Sequence, residues 1–469
     1  MIIAIDGPTG SGKSTIARRL AQKIGFFYLN TGATYRALGL AVYRRTGKKD
    51  QFTVEEILKV LEEVKFEVSF LGGKFKIYLE GEDITELIET EEVGRLASLV
   101  ARFPEVKERL FEFQRKIVNN CNAVVEGRDA GLYVFPDAEV KIFLTASAEE
   151  RARRRYLQLK EIGKEVDYEE VLKAVKERDK RDQNRPLYPF KPAPDAVVID
   201  TTHLGPDEVL QKVFKIIEPH LNVFITGIGS GLGRALAKEF LKKGYKIFAL
   251  SRRLPEEFRN HPKVNFVKTD LSELENVKAN LLRLFEGFKD SLPWVILNAG
   301  TLGKIAEMDE VPLRELKEVM NINLWSNKLI LDTLKGFQKE EKLKVGQIIA
   351  ISSGAAVNCN KGWNAYSISK AALNCTIKLY SWEFEKSHLI SLAPGLIWTP
   401  MLQKVVEANE ERFPSIKRLK ESPKHTAESG AKMLLEVFPN LNRFPSGSFV
   451  DVRTHFGEIY KKYLPKELN

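Results

Sequence analysis

Cysteine is scarce in this chain, and long apolar runs are absent. The 469 residues include three cysteines, Cys121, Cys359 and Cys375, which are too few and too scattered for a disulfide framework or a structural zinc site. No run approaches the roughly 18 apolar residues of a membrane-spanning helix, and the N-terminus lacks the basic, apolar and small-residue regions of a signal peptide. These absences predict reduced thiols and a cytoplasmic protein that does not enter a membrane.

The chain also lacks a strong excess of one charge sign. Its 73 lysines and arginines stand against 63 acids, and they are dispersed among them apart from a cluster between Arg151 and Arg155. This pattern disfavours a nucleic-acid partner. The 43% hydrophobic and 29% charged content is that of a globular protein. The length suits two α/β domains of roughly 200 to 250 residues, and the motifs below place them at residues 1–219 and 222–469.

A phosphate-binding turn follows the first apolar run. Gly7, Gly12, Lys13 and Ser14 satisfy GxxxxGK[ST] between a β-branched run and a helical pattern. In this motif glycines let backbone N–H groups surround a phosphate, the lysine reaches the β- and γ-phosphates, and the serine hydroxyl binds Mg²⁺. The sequence therefore predicts an ATP site with Mg²⁺ on Ser14. The predicted residues of this turn are Gly7, Gly10, Gly12, Lys13, Ser14 and Thr15.

Arginines lie where ligands bind in open α/β sheets, at the carboxyl ends of strands. Arg36 follows the apolar run 26–29, and Arg128 with Asp129 follows the run 123–125. The arginine-rich stretch 149–156 is interpreted in two ways: as a solvated helix face, or as a lid that closes over the transferring phosphoryl group of a P-loop kinase.

From Met1 to about Pro219 the chain resembles bacterial cytidylate kinase, a nucleoside monophosphate kinase. The segments that carry the resemblance are IAIDGPTGSGKST, YLNTGATYRA, VVEGRDAGLYVFPDAEVKIFLTASAEERARRRY, ERDKRDQNR and DAVVIDTT. It implies a P-loop parallel sheet sandwich that phosphorylates CMP and dCMP with ATP, using Lys13, Arg128 and Asp129 in catalysis and Arg151 and Arg155 at ATP. The CMP-binding residues that it implies are Thr31, Tyr35, Arg36, Ser98, Lys107, Arg128, Asp129, Arg178, Asp182 and Arg185.

Within that set the resemblance implies separate roles. Arg36, Arg128 and Arg185 grip the monophosphate, Arg178 and Asp182 hold the ribose, and Ser98 with Asp129 reads the cytosine amino group. Bidentate arginine suits phosphate, and cations offset the repulsion between two phosphorylated partners.

Two positions depart from the family pattern. Lys107 stands where the family usually has an arginine that contacts the base, and lysine cannot supply the same planar fork. Glu89 replaces another frequent arginine within an insert, roughly residues 65–92, in which two strands are predicted about Gly72 and Gly73. We expect the Glu89 change to matter little, and we expect CMP and dCMP to be preferred over UMP.

A second glycine-rich turn begins the other half. Gly227, Gly231 and Gly233 form TGxxxGxG between a strand and a helix, which is the setting for a dinucleotide pyrophosphate. On its own the pattern also fits a non-binding turn. The next predicted strand ends in Ser251, Arg252 and Arg253, where an acid would bind a ribose 2′-hydroxyl. A small hydroxyl and two guanidiniums suit a 2′-phosphate instead, so NADP(H) is favoured over NAD(H).

A tyrosine and a lysine four residues apart follow further on. Tyr366 and Lys370 share a helix face, and Ser353 ends a strand 13 residues before Tyr366. The YxxxK spacing alone is common, and Tyr156 with Lys160 in the first half is a chance match. The serine and the glycine-rich turn distinguish Tyr366.

From Asn222 to near the C-terminus the chain resembles the short-chain dehydrogenase/reductase family, with the character of its small NADPH-dependent sepiapterin- or benzil-reductase-like members. The resemblance implies a Rossmann fold in which Tyr366 donates a proton to a carbonyl, Lys370 assists it, Ser353 binds the carbonyl oxygen and Asn323 holds a relay water. It also implies a homo-oligomer formed through this domain. The cofactor-binding residues are Gly227, Gly229, Ser230, Gly231, Leu232, Gly233, Ser251, Arg252, Arg253, Asp270, Leu271, Asn298, Ala299, Gly300, Tyr366, Lys370, Pro394, Gly395, Ile397 and Thr399.

The amphipathic stretch 401–425 is predicted to be a substrate lid, with a membrane or partner helix as the alternative. Residues 444–452 are predicted to form a final strand. For function, two alternatives to a bifunctional enzyme stay open: a C-terminal NADP-sensing module without turnover, and an N-terminal nucleic-acid-associated ATPase.

Overall fold

The computed structural model describes residues 1–161, 163–184 and 187–465. The chain divides into a first unit, Met1–Ile217, and a second unit, Glu218–Asn469. Among the described residues, no helix has both the length and the apolar character needed to cross a membrane.

Among the described residues of the first unit, eight strands form two sheets. They are β1 (Ile2–Asp6), β2 (Phe27–Asn30), β3 (Phe66–Leu71), β4 (Lys74–Leu79), β5 (Glu82–Asp83), β6 (Ala123–Gly127), β7 (Val140–Thr145) and β8 (Val197–Asp200). Five of them pair in the parallel order β2-β6-β1-β7-β8. Every residue of β6 is buried, because both faces of such a sheet are covered by helices.

The helices of the first unit connect these strands. They are α1 (Lys13–Ile24), α2 (Thr31–Thr46), α3 (Val54–Glu63), α4 (Glu91–Val100), α5 (Pro104–Val118), α6 (Ala148–Glu161), α7 (Tyr168–Gln183) and α8 (Pro206–Ile217). A π-type turn, Ala130–Val134, follows β6. α1 begins directly after the glycine-rich turn, so its N-terminus faces that turn.

The predicted insert is a small antiparallel sheet. β3 and β4 pair across Gly72 and Gly73, whose φ angles of 58° and 76° are both positive, as a two-residue hairpin turn requires. A third short strand, β5, pairs with β4.

The second unit holds a seven-stranded parallel sheet and a two-stranded one. Its strands are β9 (Asn222–Thr226), β10 (Lys246–Ser251), β11 (Val264–Lys268), β12 (Ser291–Leu297), β13 (Lys344–Ile351), β14 (His388–Ala393), β15 (Ile397–Trp398), β16 (His425–Thr426) and β17 (Ser448–Asp451). The large sheet has the order β11-β10-β9-β12-β13-β14-β17, and β15 pairs with β16. The order reverses direction between β9 and β12, and this switch point is where open α/β sheets bind ligands.

Helices cover both faces of the large sheet. They are α9 (Gly231–Lys242), α10 (Leu274–Leu284), α11 (Leu313–Met320), α12 (Ser326–Lys339), α13 (Ala355–Asn358), α14 (Asn364–Ser381), α15 (Pro400–Val406), α16 (Pro414–Glu421), α17 (Ala427–Val437), α18 (Val452–His455) and α19 (Gly457–Lys462). A π-type turn, Asn321–Trp325, joins α11 to α12. Phe224, Leu250, Val295 and Ile348 belong to the buried core between sheet and helices.

The predicted final strand is shorter than expected. β17 spans Ser448–Asp451 because Phe438–Arg443 forms a 3-10 turn and Gly447 adopts a φ of 83°. At the other end the Asp451 carboxylate accepts a hydrogen bond from the Arg453 N–H and so begins α18.

Candidate active sites

The first glycine-rich turn is packed too closely for side chains. A Cβ on Gly7 would lie 2.3 Å from the Leu144 carbonyl oxygen, and one on Gly10 would lie 2.9 Å from that of Arg151. Gly10 and Gly12 have φ angles of 80° and 89°, which favour glycine. Backbone N–H groups of the turn can therefore approach a phosphate closely at the N-terminus of α1.

Lys13 and Ser14 begin α1 beside a buried carboxylate that the sequence analysis did not select. The Ser14 hydroxyl donates a hydrogen bond of 2.9 Å to Glu126 Oε1, and the Tyr28 hydroxyl donates to the same oxygen at 3.2 Å. Burial lowers the pKa of Lys13, while the charge of Glu126 opposes that shift. The only sequence signal for Glu126 was its place at the end of β6, next to Arg128.

Three predicted CMP-binding arginines converge beyond this turn. Arg128 donates to the Thr9 hydroxyl at 2.6 Å and pairs with Asp182. The pKa of Arg178 is lowered to about 10, first because protein atoms displace water around it and then because of the charges of Arg128 and Arg36. Such mutual repulsion marks a place where an anion is stabilised.

Arg36 has an acidic neighbour in this structure. Its Nη1 donates to the Ile88 carbonyl at 2.7 Å and lies 3.6 Å from a Glu89 carboxylate oxygen. Glu89, expected from the sequence to matter little, therefore contacts a predicted phosphate-binding residue. Ser98 is exposed on α4 and donates to the Gly94 carbonyl.

The remaining predicted CMP-binding residues lie around this group. Thr31 is buried and donates to the Glu126 carbonyl, and Tyr35 is half-buried in α2. Lys107 is buried, with its ammonium 5.3 Å from the centre of the Tyr188 ring. Asp129 is buried at the start of the π-type turn. Arg185 lies outside the described residues.

A buried aspartate shapes the turn after β6. Asp6 accepts hydrogen bonds from the backbone N–H groups of Ala130 and Gly131, at 3.0 and 2.7 Å. Burial raises its pKa to about 7, and the nearby Asp129 and Glu126 charges add to the shift. Asp6 was not selected from the sequence, although it ends the strand before the glycine-rich turn.

The arginine run of α6 divides into different roles. Arg151 is buried and makes a two-pronged ion pair with Asp179 of α7, and Arg155 donates to Gln158 on the exposed side. Arg154, which was not selected, reaches the glycine-rich turn: its Nη1 lies 3.5 Å from the Gly10 carbonyl oxygen. It is anchored there by hydrogen bonds to Thr201.

A cavity of about 880 Å³ lies in the second unit at the switch point of the large sheet. All the predicted cofactor-binding residues line it, together with Ser353. Its walls therefore include the loops that follow β9, β10, β11, β12, β13 and β14.

The second glycine-rich turn brings α9 very close to the sheet. A Cβ on Gly233 would lie 2.2 Å from the Gly227 carbonyl oxygen, and one on Gly227 would lie 2.9 Å from Ala299 Cα. The Asn298 amide donates to the carbonyls of Thr226 and Gly227, each at 3.1 Å. Gly231 approaches Thr399 from the opposite wall.

Two arginines and no acidic residue lie directly after the last residue of β10. Ser251 is buried, and Arg252 and Arg253 are exposed. Within the described ranges neither guanidinium forms an ion pair or a side-chain hydrogen bond. Asp270, on the neighbouring loop, accepts from the Ser272 N–H and hydroxyl.

Ser353, Tyr366 and Lys370 meet at the other end of the cavity. Burial raises the pKa of the Tyr366 phenol, and the neighbouring Ser353 side chain partly offsets that rise. The Lys370 ammonium donates to the Ile351 carbonyl at 2.7 Å and lies 5.8 Å from the centre of the Tyr366 ring. Burial lowers the pKa of Lys370 to about 8.

Asn323 stands behind this group in the π-type turn, a distortion often found at functional sites. It is buried; its Oδ1 accepts from the Thr301 N–H at 2.8 Å, and its Nδ2 donates to the Ser369 hydroxyl at 2.9 Å. A Cβ on Gly300 would lie 3.3 Å from Asn323 Oδ1 and 3.5 Å from the Lys370 ammonium, so Asn323 and Lys370 face the same small glycine.

The stretch predicted as a lid forms α15 and α16. Met401, Leu402 and Val405 of α15 line the cavity. α16 is held beside it because the Trp363 indole N–H donates to the Ser415 hydroxyl at 2.9 Å. In the part of the chain that the structure describes, no group of three or more His, Cys, Asp or Glu side chains could hold a metal ion.

Comparisons with known proteins agree with this division. A family model for cytidylate kinase matches residues 3–219, and one for short chain dehydrogenase matches residues 221–410. The chain is similar to cytidylate kinase of Caldicellulosiruptor saccharolyticus, with 48% identity over 46% of this chain and 94% of that protein. It is similar to that of Aquifex aeolicus at 48% identity, covering 46% and 96%. A structure of a short chain dehydrogenase family protein from Francisella tularensis matches with a TM-score of 0.42 and 20% identity, covering 50% and 96%.

Proposed function

Because the chain belongs to the cytidylate kinase family through its first unit and carries a short chain dehydrogenase domain as its second, we propose that it is a bifunctional cytoplasmic enzyme. The first unit transfers a phosphoryl group from ATP to CMP or dCMP. The second reduces a carbonyl compound with NADPH, or oxidises the corresponding alcohol.

The convergence of Lys13, Arg36, Arg128 and Arg178 supports the kinase reaction. ATP supplies the phosphoryl group and would bring Mg²⁺ to the Ser14 hydroxyl, beside the Glu126 carboxylate. Lys13 and Arg154 bind at the triphosphate, Arg36 and Arg128 hold the monophosphate together with Arg185, and Arg178 holds the ribose. Two anions are thereby brought together despite their repulsion.

The kinase proposal is tested by ADP formation with CMP, dCMP and UMP. We expect phosphorylation of CMP and dCMP, poor use of UMP, and a large loss in Arg128→Ala. Equal rates with UMP and CMP would contradict the base preference. ATP hydrolysis stimulated by DNA or RNA, without transfer to CMP, would favour an ATPase instead.

The Ser353, Tyr366 and Lys370 group supports the reductase reaction. NADPH supplies the hydride. Ser353 binds the carbonyl oxygen, the Tyr366 hydroxyl transfers its proton to that oxygen, and the Lys370 charge stabilises the phenolate left behind. Asn323 positions the loop at Thr301 and holds the relay water.

The reductase proposal is tested by NADPH oxidation with a panel of ketones, diketones, pterins and quinones. General acid catalysis contributes about 10²- to 10⁴-fold, and Tyr366→Phe should lose that factor. A wild type that binds NADPH but reduces no compound would favour a sensing module without turnover.

The preference for NADPH rests on Arg252 and Arg253 at the end of β10, where no carboxylate is available for a ribose 2′-hydroxyl. Arg252→Ala should weaken NADPH binding and leave NADH binding nearly unchanged. Equal affinity of the wild type for both dinucleotides would contradict this preference.

We also propose that the second unit forms homo-oligomers through α14. Ile368 and Leu379 of this helix, and Trp382 directly after it, are 45%, 60% and 74% exposed. Their spacing of 11 and 3 residues places them on one helix face, and exposed apolar patches of this kind mark protein interfaces.

A further inference from the structure

The cavity of the second unit carries more positive charge than dinucleotide binding and the catalytic lysine account for. The lining residues include one acid, Asp270, against six cations: Arg252, Arg253, Lys370, Lys404, Arg418 and Arg453. Arg252 and Arg253 lie at the proposed 2′-phosphate site, and Lys370 lies beside Tyr366. Lys404 comes soon after Thr399 and Pro400, which abut the glycine-rich turn at Gly231. Arg418 and Arg453 are the lining cations outside these sites, and Arg453 is paired with the Asp451 carboxylate behind it.

Arg453 lies next to the catalytic serine. A Cβ on Gly354, the residue after Ser353, would be 3.1 Å from Arg453 Nη2 and 3.6 Å from the amide nitrogen of Asn358. The residue after the serine therefore lies against this guanidinium. Arg453 therefore belongs to the carbonyl end of the cavity and not to the dinucleotide end.

The Arg453 guanidinium is fixed by Asp451. The Asp451 carboxylate accepts from Arg453 Nε at 3.1 Å and Nη2 at 2.7 Å, and it also accepts from the Arg453 backbone N–H at 2.9 Å. These bonds occupy one edge of the guanidinium and leave the Nη1 donors for another acceptor. The side chain is 41% exposed, so a ligand in the cavity can reach it. The Nη1 donors, with the second proton of Nη2, form the outer end of the guanidinium, which suits a carboxylate.

The lid and the residues packed against it give the cavity an apolar surface. Its members include Leu302, Trp363, Met401, Leu402, Val405 and Leu419. Leu302, Trp363, Val405 and Tyr366 belong to one packed cluster with α16. Burial of an apolar substrate body against this surface is favourable.

We infer that the second unit reduces an oxo acid: a carbonyl compound with an apolar body and a carboxylate that Arg453 binds. This inference rests on the proposed reductase function and adds the class of its substrate. Asp451 is a positioning residue that orients Arg453.

The test compares phenyl oxo acids, Ph–CO–(CH₂)n–COO⁻ of increasing chain length, with their methyl esters as substrates for NADPH oxidation. The wild-type full chain should prefer an acid over its ester by about tenfold or more in kcat/KM, as expected for a charge-assisted hydrogen bond. Arg453→Gln should reduce kcat/KM for that acid about ten- to hundredfold, and change that for the ester by less than about twofold. Arg453→Lys should recover part of the loss, because it keeps the charge without the fork.

Ester turnover in Arg453→Gln shows that the variant is folded. Arg259→Gln is the matched control: Arg259 pairs with Glu256 and does not line the cavity, so both substrates should be unaffected. Equal losses for acid and ester, or no acid preference in the wild type, would overturn the inference and leave the reductase function standing.

A binding measurement separates the two proposals if no ketone is reduced. 5-Phenylpentanoate and its amide, which cannot be reduced, are titrated into the NADP⁺-loaded protein while tryptophan fluorescence is followed. Tighter binding of the acid that disappears in Arg453→Gln would support the anion site although the reductase function had failed. Equal binding of acid and amide would overturn the anion site as well.

Discussion

At the scale of single residues, burial of Lys370 changes its pKa and so gives a direct prediction. Its pKa is lowered from 10.5 to about 8, so a rise in pH through about 8 removes its charge from the neighbourhood of Tyr366. We expect kcat/KM for NADPH, which reports the free enzyme, to fall as pH rises through this value. In Lys370→Arg the guanidinium stays charged, and the falling limb should move to much higher pH. A limb that stays near pH 8 in that variant belongs to another group.

Arg154 gives a second prediction at this scale. Because its Nη1 lies beside the Gly10 carbonyl, Arg154→Met should lower kcat/KM for ATP about tenfold or more, as expected for a charge-assisted hydrogen bond to phosphate. Steady-state rates at saturating CMP measure the effect. Arg153→Met is the matched control, since Arg153 bonds to the same Glu150 but is 58% exposed. A similar loss in both variants would mean that Glu150 pairing, and not ATP, explains it.

These residues also show where sequence reasoning stops. The glycines, Lys13, Ser14, Tyr366 and Lys370 lie within short motifs whose spacing itself encodes their geometry. The choice among Arg151, Arg154 and Arg155 depends instead on how α6 is rotated against α7, which the ion pair of Arg151 with Asp179 settles. Arg453 comes 100 residues after Ser353, so no local pattern joins them.

At the scale of elements, α9 packs very closely against the strand end at Gly227. Gly233→Ala should destabilise the second unit by about 2 kcal/mol or more, because its Cβ would meet a backbone oxygen at 2.2 Å. Gly336→Ala is the control. This glycine lies inside α12 with nothing within 4 Å of an added Cβ, and the change should stabilise by about 0.5–1 kcal/mol.

Urea unfolding followed by tryptophan fluorescence measures both changes, because all five tryptophans lie in the second unit. NADPH affinity should fall in Gly233→Ala alone. Equal stability of the two variants would contradict the close approach of α9.

The existence of strands and helices follows from local sequence patterns, but where each one ends does not always do so. The parallel strands and their helices were predicted from apolar runs and helical spacing, and the two family folds are confirmed. The last strand was predicted too long because Phe444 and Val452 are apolar enough to continue it. A left-handed Gly447 and the Asp451 cap end it, and neither changes the apolar pattern on which the prediction was based.

At the scale of the whole molecule, the exposed face of α14 predicts a dimer of the full chain. A two-fold axis would place the same patch on both subunits, and Trp382→Glu would set carboxylates against each other there. We expect sedimentation or light scattering to show a dimer for the wild type and a monomer for Trp382→Glu. Leu282→Glu, at a 44% exposed leucine of α10, should leave the dimer intact. A wild-type monomer at micromolar concentration would refute the interface.

α8 ends at Ile217 and β9 begins at Asn222, so one continuous polypeptide carries both units. One translation event therefore makes one copy of each active site, and no promoter, ribosome-binding site or differential turnover of subunits can alter that ratio. The one-to-one ratio of the two sites is fixed because they belong to one covalent chain. Titrating the proposed dinucleotide sites of a preparation would consequently also count its proposed phosphoryl-transfer sites, without a kinase assay.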